Sequence, residues 1–261
     1  MKNNDTIVKT LFVAISLCLV CSAVISSAAV GLRDLQEANQ KLDQQKKILA
    51  AANLLDDSKS IEEIFLSIEP KIINLNNGEY SDFIDVDLYD ETDFARDENT
   101  SIKLSSDQDI ATLKRRENYQ KVYLHYEGDS LAAVILPVRG YGLWGTLYGY
   151  LAVEPDFQTI IGLEFFKHKE TPGLGAEVDN PKWKSQWNGK TIFSPEGEVL
   201  IAVIKGSVDK ASASANYQVD GLSGATITSN GVSNLLSFWL GDLGFKPYIN
   251  KMLNDKEKAD V

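Results

Sequence analysis

Residues 220–240 read DGLSGATITSNGVSNLLSFWL, a Gly- and Ser-rich turn that runs into a helical pattern. Apolar side chains recur in it at intervals of three and four residues, at Val232, Leu235, Leu236 and Trp239. This spacing places them on one face of an amphipathic helix. Good N-cap residues precede that face, at Thr228, Ser229 and Asn230. Gly241 and Gly244 follow it, where a left-handed C-terminal cap forms most easily.

Thr226 is predicted to lie in a tight turn just ahead of this helix. A helix N-terminus offers unpaired N–H groups and the positive end of the helix dipole, so a phosphate beside Thr226 would be stabilised. Gly221 and Gly224 let the backbone approach such a group closely, because they have no Cβ. A loop that merely caps an ordinary helix has the same features, so the residues alone leave both interpretations open.

The composition is that of a globular protein with an acidic surface. Apolar residues make up 44% of the chain and charged residues 24%, and the net charge is −11. The negatively charged phosphate backbone of a nucleic acid repels a protein this acidic. We therefore exclude nucleic-acid binding as its function.

The chain offers few residues for a metal or a disulfide. Cys18 and Cys21 both fall in an apolar run, where cysteines act mostly as small packing residues, although a Cys-x-x-Cys redox or metal pair has the same spacing. His125 and His168 are isolated in the sequence. We therefore expect no bound metal and no disulfide framework.

Residues 11–30 form an uncharged run of 20 residues, long enough to cross a bilayer as a helix. Residues 1–32 are therefore predicted to be a transmembrane anchor. A cleavable signal peptide is the alternative, since residues 27–29 read Ser-Ala-Ala. Lys2 and Lys9 favour an N-terminus inside the cell, but Arg33 and further lysines follow the run, so the charges leave the orientation open.

Residues 33–119 are predicted to form a stalk and an acidic segment. The pattern indicates a polar helix over residues 34–58 and a short docking helix over residues 61–68 that Pro70 stops. Residues 76–99 are rich in Asp and Glu and begin with an Asn-Asn-Gly turn. Such a charge run is typical of a solvated loop, and we assign it no chemistry.

Residues 120–261 are predicted to form the main domain, with strand character beginning near Val122. Strands over residues 121–126 and 131–138 are joined by a hairpin at Gly128-Asp129. Residues 139–153 interleave glycines with aromatics, and Trp144 there would contact either a planar ring or the core. Further strands are predicted over residues 157–166, with a break at Gly162, and over residues 199–204. The last ends at Lys205, which would either reach a phosphate or remain solvated.

The segment between these strands contains a glycine-rich loop and a short helix. Residues 168–178 read HKETPGLGAEV, a tightly turned loop whose N–H groups are available to line a pocket. Residues 180–187 then predict a short helix that is capped by Asn180.

Five separated stretches together resemble the C subunit of the sodium-translocating NADH:quinone oxidoreductases. They are the N-terminal anchor, GYGLWGT at residues 140–146, ETPGLG at 170–175, NPKW at 180–183 and DGLSGAT at 220–226. The last contains Asp-x-x-Ser-Gly-Ala-Thr, which looks like a flavinylation motif. The resemblance covers nearly the whole chain. It implies an α+β fold, in which one transmembrane helix precedes a mixed domain with a twisted antiparallel sheet and flanking helices.

The resemblance also implies a function, that of an electron-transfer subunit in a respiratory oxidoreductase that translocates sodium. One FMN would be joined through its phosphate to Thr226 by a separate flavin transferase. It would relay single electrons, received from an iron centre in neighbouring subunits, towards a second flavin on the B subunit and then quinone. The implied partners are the A, B, D, E and F subunits. The implied location is the bacterial inner membrane, with the soluble domain facing the periplasm.

The implied cofactor site has two parts, and no residue of the chain is expected to act as a catalyst. Around the flavin ring we expect Trp144, Thr171, Gly173, Leu174 and Gly175. Around the phosphate, besides Thr226, we expect Asp220, Ser223, Gly224, Ala225, Thr228 and Lys205.

Three other functions remain as alternatives. The G subunit of the related Rnf complex shares the TPGLG loop and the Ser-Gly-Ala-Thr motif, but the NPKW segment and the long region before residue 120 favour the C subunit of the quinone reductase. A free-standing flavoenzyme is disfavoured because the chain has no Gly-x-Gly-x-x-Gly between a strand and a helix. A membrane-anchored docking module without a cofactor is the third alternative.

Overall fold

The structure, a computed structural model, describes residues 6–259 and divides into two compact units between Gln44 and Gln45. Lys2, on which the orientation argument partly rests, lies outside the described residues. The boundaries predicted at residues 32/33 and 119/120 stay predictions.

The first unit is helical. Helix α1 (Ile7–Gly31) is 25 residues long, has a mean hydropathy of 2.4 and buries none of its residues, so it is long and apolar enough to cross a membrane. Cys18 and Cys21 are free and exposed on it. Helix α2 (Arg33–Ala51) begins in this unit, where Arg33 pairs with Glu37.

Helix α2 ends in the second unit, seven residues before the predicted end at Ser58. Asn53 has a φ of 56°, and the N–H groups of Asn53 and Leu54 donate to Ala50 and Leu49. This is a Schellman cap, which an Asn in the left-handed region can form. The sequence prediction missed it because no glycine marks the position.

The second unit contains one sheet with helices around it. In chain order it continues with α3 (Ile61–Phe65), β1 (Ile68–Asn74), α4 (Glu91–Arg96), β2 (Ser101–Lys103), β3 (Arg115–Glu117), β4 (Tyr119–Glu127), β5 (Ser130–Tyr141), β6 (Thr146–Val153), β7 (Ile160–Lys167), α5 (Pro181–Lys184), β8 (Ala202–Val203), β9 (Gln218–Val219), α6 (Thr226–Trp239) and α7 (Lys246–Ala259). Five strands pair in the order β1-β4-β5-β6-β7, all antiparallel. The predicted α+β fold is confirmed.

Both faces of the sheet are covered, because successive side chains of a strand point to opposite faces. On strand β5, Val134, Leu136 and Val138 pack into the larger core together with α6 and α7. The alternate residues Ala133 and Ile135 pack against the last turn of α2.

Pro70 does not stop a helix, as the sequence predicted, but lies in strand β1 opposite Tyr123. Helix α3 already ends at Phe65. Strand β1 is one of the two edge strands of the sheet, and a residue without an N–H is tolerated on an edge strand. The prediction that strand character begins near Val122 is therefore wrong.

Two other predicted strands differ from those observed. Strand β7 begins at Ile160, because Phe157 lies in a turn with a φ of 54°. It continues through Gly162, but its register with β6 shifts beside this residue, where Ala152 pairs with Gly162 and Val153 with Ile160. A Cβ at Gly162 would lie 2.5 Å from the carbonyl oxygen of Ala51, so this glycine permits the close approach of α2. The strand predicted over residues 199–204 shrinks to β8, which pairs in parallel with β9.

Helix α6 packs closely on strand β5 and stops without a left-handed glycine. A Cβ at Gly140 would lie 2.5 Å from the Cβ of Leu235. The C-cap is Leu240, in a right-handed conformation, so the left-handed cap predicted at Gly241 and Gly244 is wrong. Gly244 is needed for another reason: a Cβ at this position would collide with the backbone carbonyl of Trp239.

The acidic segment is more than a solvated loop, since Glu91 of α4 reaches a buried charge cluster. Its Oε1 atom lies 3.0 Å from Nε of Arg139. The Arg139 guanidinium also donates to Glu117 at 3.2 and 2.6 Å. Glu117 is fully buried, and burial raises its pKa to about 7 against the opposing effect of Arg139.

Candidate functional site

Helix α6 begins at Thr226 itself, so this residue is the first of the helix and not part of a preceding turn. The N-cap is Ala225, which has no side chain that caps, and Gly224 before it has a φ of 70°. The N–H groups of the first turn have no acceptor within the helix. Thr226 is exposed, and it stands at a 14-residue helix whose N-terminus is open to an anion.

The N-cap of α6 is Ala225 and none of Thr228, Ser229 and Asn230, so the prediction that these residues cap the helix is wrong. Thr228 is fully buried and its hydroxyl donates to Oε2 of Glu170 at 2.5 Å. The Ser229 hydroxyl accepts the N–H of Leu222 at 3.0 Å and braces the loop before the helix. Both side chains thus fix the first turn of α6 to its surroundings.

A polar cleft of about 380 Å³ opens on one side of Thr226. Its polar lining residues are Lys205, Ser207, Asp220, Ser223, Thr226, Ser229 and Asn230. Lys205 and Ser223 are exposed there. Asp220 also lines the cleft, but its carboxylate accepts the N–H of Val208 at 2.7 Å and so holds the neighbouring turn.

Four exposed apolar side chains belong to segments that meet the start of α6, and we call them the apolar rim: Leu143, Trp144, Leu174 and Ile227. Ile227 follows Thr226 in α6, and the N–H groups of Leu143 and Trp144 donate to the same Glu170 carboxylate as Thr228. Trp144 is 62% exposed, so the alternative that it packs in the core is excluded. A Cβ at Gly224 would lie 3.0 Å from Cδ2 of Leu174, which places Leu174 next to the Ser-Gly-Ala-Thr motif.

The loop between β7 and α5 supplies Leu174 and is closed by its own hydrogen bonds. The carbonyl of Thr171 accepts the N–H groups of Leu174 and Ala176, each at 3.1 Å. These two N–H groups therefore do not line a pocket. Thr171 and Gly173 are exposed, and Gly173 has a φ of 75° in open space.

Glu170 joins the separate parts of the site, and the sequence prediction did not include it. Its Oε1 atom accepts the N–H groups of Leu143 and Trp144 at 3.0 and 2.9 Å, and its Oε2 accepts from Thr228. Any Cβ at Gly175 would meet Oε2, and one at Gly142 would lie 2.6 Å from Oε1. The only sign of this role in the sequence was that Glu170 is a single acidic residue between glycine-rich segments.

The NPKW segment (residues 180–183) and the residues after it position Asp220, the first residue of the DGLSGAT motif. Asn180 caps α5 by accepting the N–H of Lys182 at 2.9 Å, as predicted. The indole N–H of Trp183 donates to the carbonyl of Asp220 at 2.8 Å. Gln186 accepts the N–H of Asp220 at 3.1 Å, so α5 and its flank position residue 220.

Comparison with known proteins places these features in one family. The family model described as FMN-binding domain matches residues 142–241, a range that contains the apolar rim, Glu170 and all of α6. The chain is 48% identical over 253 residues to the C subunit of the Na(+)-translocating NADH-quinone reductase of Pseudomonas aeruginosa, covering 95% of this chain and 97% of that protein. The C subunit of the same reductase in Vibrio anguillarum is 47% identical over 251 residues, with 96% of each chain covered.

Two solved structures are also similar. A crystal structure of Shewanella oneidensis NqrC matches with a TM-score of 0.77 at 35% identity, over 83% of this chain and 99% of that one. The crystal structure of the C subunit of the Na(+)-translocating NADH-quinone reductase from Parabacteroides distasonis matches with a TM-score of 0.63 at 31% identity, over 84% and 96% of the two chains.

Proposed function

Because the chain belongs to the C subunit family of the Na(+)-translocating NADH-quinone reductases, we propose that it is the flavin-carrying electron-transfer subunit of such a membrane complex. The sequence match to this family, 48% identical over 95% of the chain, favours that function over the G subunit of an Rnf complex. The match to an FMN-binding domain favours it over a docking module without a cofactor.

FMN is joined covalently, in this proposal, by a phosphoester to the hydroxyl of Thr226, one FMN per chain. The observation that carries the proposal is the position of Thr226, exposed and first in a helix whose N-cap has no capping side chain. The unpaired N–H groups and the dipole of α6 stabilise phosphate oxygens there. A separate flavin transferase makes the bond, so Thr226 is an acceptor and the chain needs no activating base.

The surroundings of Thr226 suit the two halves of FMN. Ser223, Gly224 and Lys205 in the polar cleft hold the phosphate end, and Ala225 leaves the helix N-terminus open. Asp220 and Thr228 act indirectly, since their side chains hold the adjacent turn and Glu170. The cleft volume of about 380 Å³ lies within the range of small-ligand sites, roughly 300–1,000 Å³.

The apolar rim receives the flavin ring, with Trp144 and Leu174 in contact with it. Thr171, Gly173 and Gly175 shape the loop that presents Leu174. Bound FMN supplies the one- and two-electron chemistry that side chains lack, while the chain positions the ring and sets its electrostatic surroundings. Because Trp144 and Leu174 are exposed in the protein alone, the ring stays accessible to other subunits.

Helix α1 anchors the protein in the bacterial inner membrane, and the second unit faces the periplasm. There it takes single electrons from an iron centre in its neighbours among the A, B, D, E and F subunits. It passes them towards a second flavin on the B subunit and so to quinone. A covalent bond to Thr226 keeps the cofactor on the chain throughout this relay.

The intact mass of the denatured chain from its native host tests the proposal. We expect a gain of one FMN less one water, and its loss in Thr226→Ala. Ser207→Ala is the matched control, since it removes an exposed hydroxyl from the lining of the same cleft and should keep the adduct. An unmodified native chain, or an adduct that survives in Thr226→Ala, would refute attachment at this residue.

A further inference from the structure

Among the buried glutamates of the described residues, Glu170 differs from the others in having no cationic partner. Within residues 6–259, the buried glutamates are Glu117, Glu164 and Glu170. Glu117 pairs with Arg139, and Glu164 pairs with Lys47 and Lys184. None of the ion pairs in this described part of the chain involves Glu170.

The carboxylate of Glu170 is satisfied by hydrogen bonds alone. The N–H groups of Leu143 and Trp144 converge on Oε1, and the Thr228 hydroxyl donates to Oε2. A buried polar group needs such partners, and backbone N–H groups stabilise the ionised form of a carboxylate. Gly142 and Gly175 leave the space it fills, because a Cβ at either would collide with it.

The nearest histidine does not neutralise this charge. The N–H of Glu170 donates to Nδ1 of His168 at 3.2 Å, so the ring contacts the backbone of Glu170. The other ring nitrogen, Nε2, lies 2.8 Å from Oδ2 of Asp179. Within the described residues the acidic partner of His168 is therefore Asp179, and not the carboxylate of Glu170.

The three donors to Glu170 belong to the parts of the site that the proposed function assigns to FMN. Leu143 and Trp144 belong to the apolar rim, and Thr228 lies two residues after the attachment residue on the same helical turn. A buried charge acts strongly on neighbouring groups, because the interior screens it far less than water does.

We propose that Glu170 is a positioning residue which fixes Trp144 and Thr228 and whose buried negative charge keeps the reduction potential of FMN at Thr226 low. Reduction adds electrons to the flavin, and a fixed negative charge nearby makes that addition less favourable. This inference rests on the proposed function, since it requires FMN at Thr226.

Two near-isosteric variants separate the effect of charge from that of shape. Glu170→Gln keeps the carbonyl acceptor for the two N–H groups but removes the charge, so the midpoint potential should shift to a more positive value. Thr228→Val keeps the β-branched shape but removes one donor, which leaves the charge less compensated, so the potential should shift to a more negative value. Glu177→Gln, the same change of charge elsewhere on the loop, is the control and should shift the potential less.

Each full-length variant is purified from the native host, weighed intact, and titrated with dithionite in a spectroelectrochemical cell. The mass comes first, since a wild-type chain without FMN refutes the proposed function and not this inference alone. With FMN present, opposite shifts in Glu170→Gln and Thr228→Val support the inference. Shifts of the same sign, no shift, or an equal shift in Glu177→Gln overturn it.

Loss of flavin or of folding in Glu170→Gln also has a defined meaning. A variant that melts like the wild type but takes up no FMN overturns the inference, because Glu170 would then serve attachment and not the potential. If Glu170→Gln fails to fold, Thr228→Val decides the question: a more negative potential supports the inference, and an unchanged or more positive one overturns it.

Discussion

Glu117 and Glu170 are both buried glutamates, but the chain compensates their charges in different ways. Glu117 accepts from the guanidinium of Arg139 at 3.2 and 2.6 Å and from the amide of Gln120 at 2.8 Å. Within the part of the chain that the structure describes, Glu170 accepts from two backbone N–H groups and one hydroxyl and from no cation. The first is an ion pair inside the core, whereas the second is a single charge held beside the proposed flavin site.

The difference follows from what surrounds each carboxylate. Arg139 stacks on the ring of Trp239, with 5.3 Å between the guanidinium carbon and the ring centroid, and it also pairs with Glu91. That cluster ties β3, β5, α4 and α6 together. Glu170 instead joins a hairpin, a loop and one helical turn, so its contacts define a site. A cation beside Glu170 would cancel the field that it applies to that site.

Arg139→Met should have the largest effect on stability. It leaves Glu117 buried without its cation, and breaking a buried pair in this way costs about 3–5 kcal/mol. Urea denaturation followed by circular dichroism measures the loss. The double variant Arg139→Met with Glu117→Leu is the control and should recover much of it; equal destabilisation in both would show that lost packing, and not the unpaired charge, is the cause.

The raised pKa of Glu117 predicts a smaller effect that depends on pH. Burial raises this pKa from 4.5 to about 7 in the folded protein, so between these values the folded state binds a proton that the unfolded state has lost. The stability contributed by this group is complete below pH 4.5 and is lost as the pH rises to 7, by up to about 3 kcal/mol. Denaturation at pH 5 and pH 7.5 measures it, and Glu117→Gln should flatten the difference. An equal slope in that variant would assign the effect to other groups.

The features that the sequence predicted depend on residues that are close together in the chain. The features that it missed depend on contacts between residues that are far apart in the chain. Helix α6 was predictable because its apolar face repeats within 14 residues. The proposed attachment residue, Thr226, was inferred from a local motif. The start of α6 was predicted wrongly because Thr228 is a good cap by local rules, yet its partner Glu170 lies 58 residues away in the sequence.

The same reason explains why Glu170 and strand β1 were missed. The backbone donors of Glu170 lie 26 and 27 residues before it, and no periodicity connects a side chain to single N–H groups at that distance. A proline such as Pro70 counts against a β-strand unless the strand lies at the edge of a sheet. That β1 is an edge strand becomes visible only from its pairing with β4. Contacts between distant residues thus determine the position of strand β1 and the role of Glu170, which local sequence patterns do not predict.

Two glycines in the loop between β7 and α5 give the smallest and most local test of the comparison between Glu117 and Glu170. Gly175→Ala would push a Cβ against Oε2 of Glu170 and to 2.6 Å from the hydroxyl of Thr228, and such overpacking costs about 1–3 kcal/mol. Gly173→Ala meets open space but keeps a φ of 75°, which costs an L-residue about 1–2 kcal/mol. Stability alone separates these variants poorly, but only Gly175→Ala should also change the flavin absorption spectrum, since only it displaces the carboxylate that fixes Trp144. Spectra of both variants, recorded at equal flavin content, measure this; a spectral change in Gly173→Ala alone would mean that loop shape, and not the Glu170 contact, controls the environment of the ring.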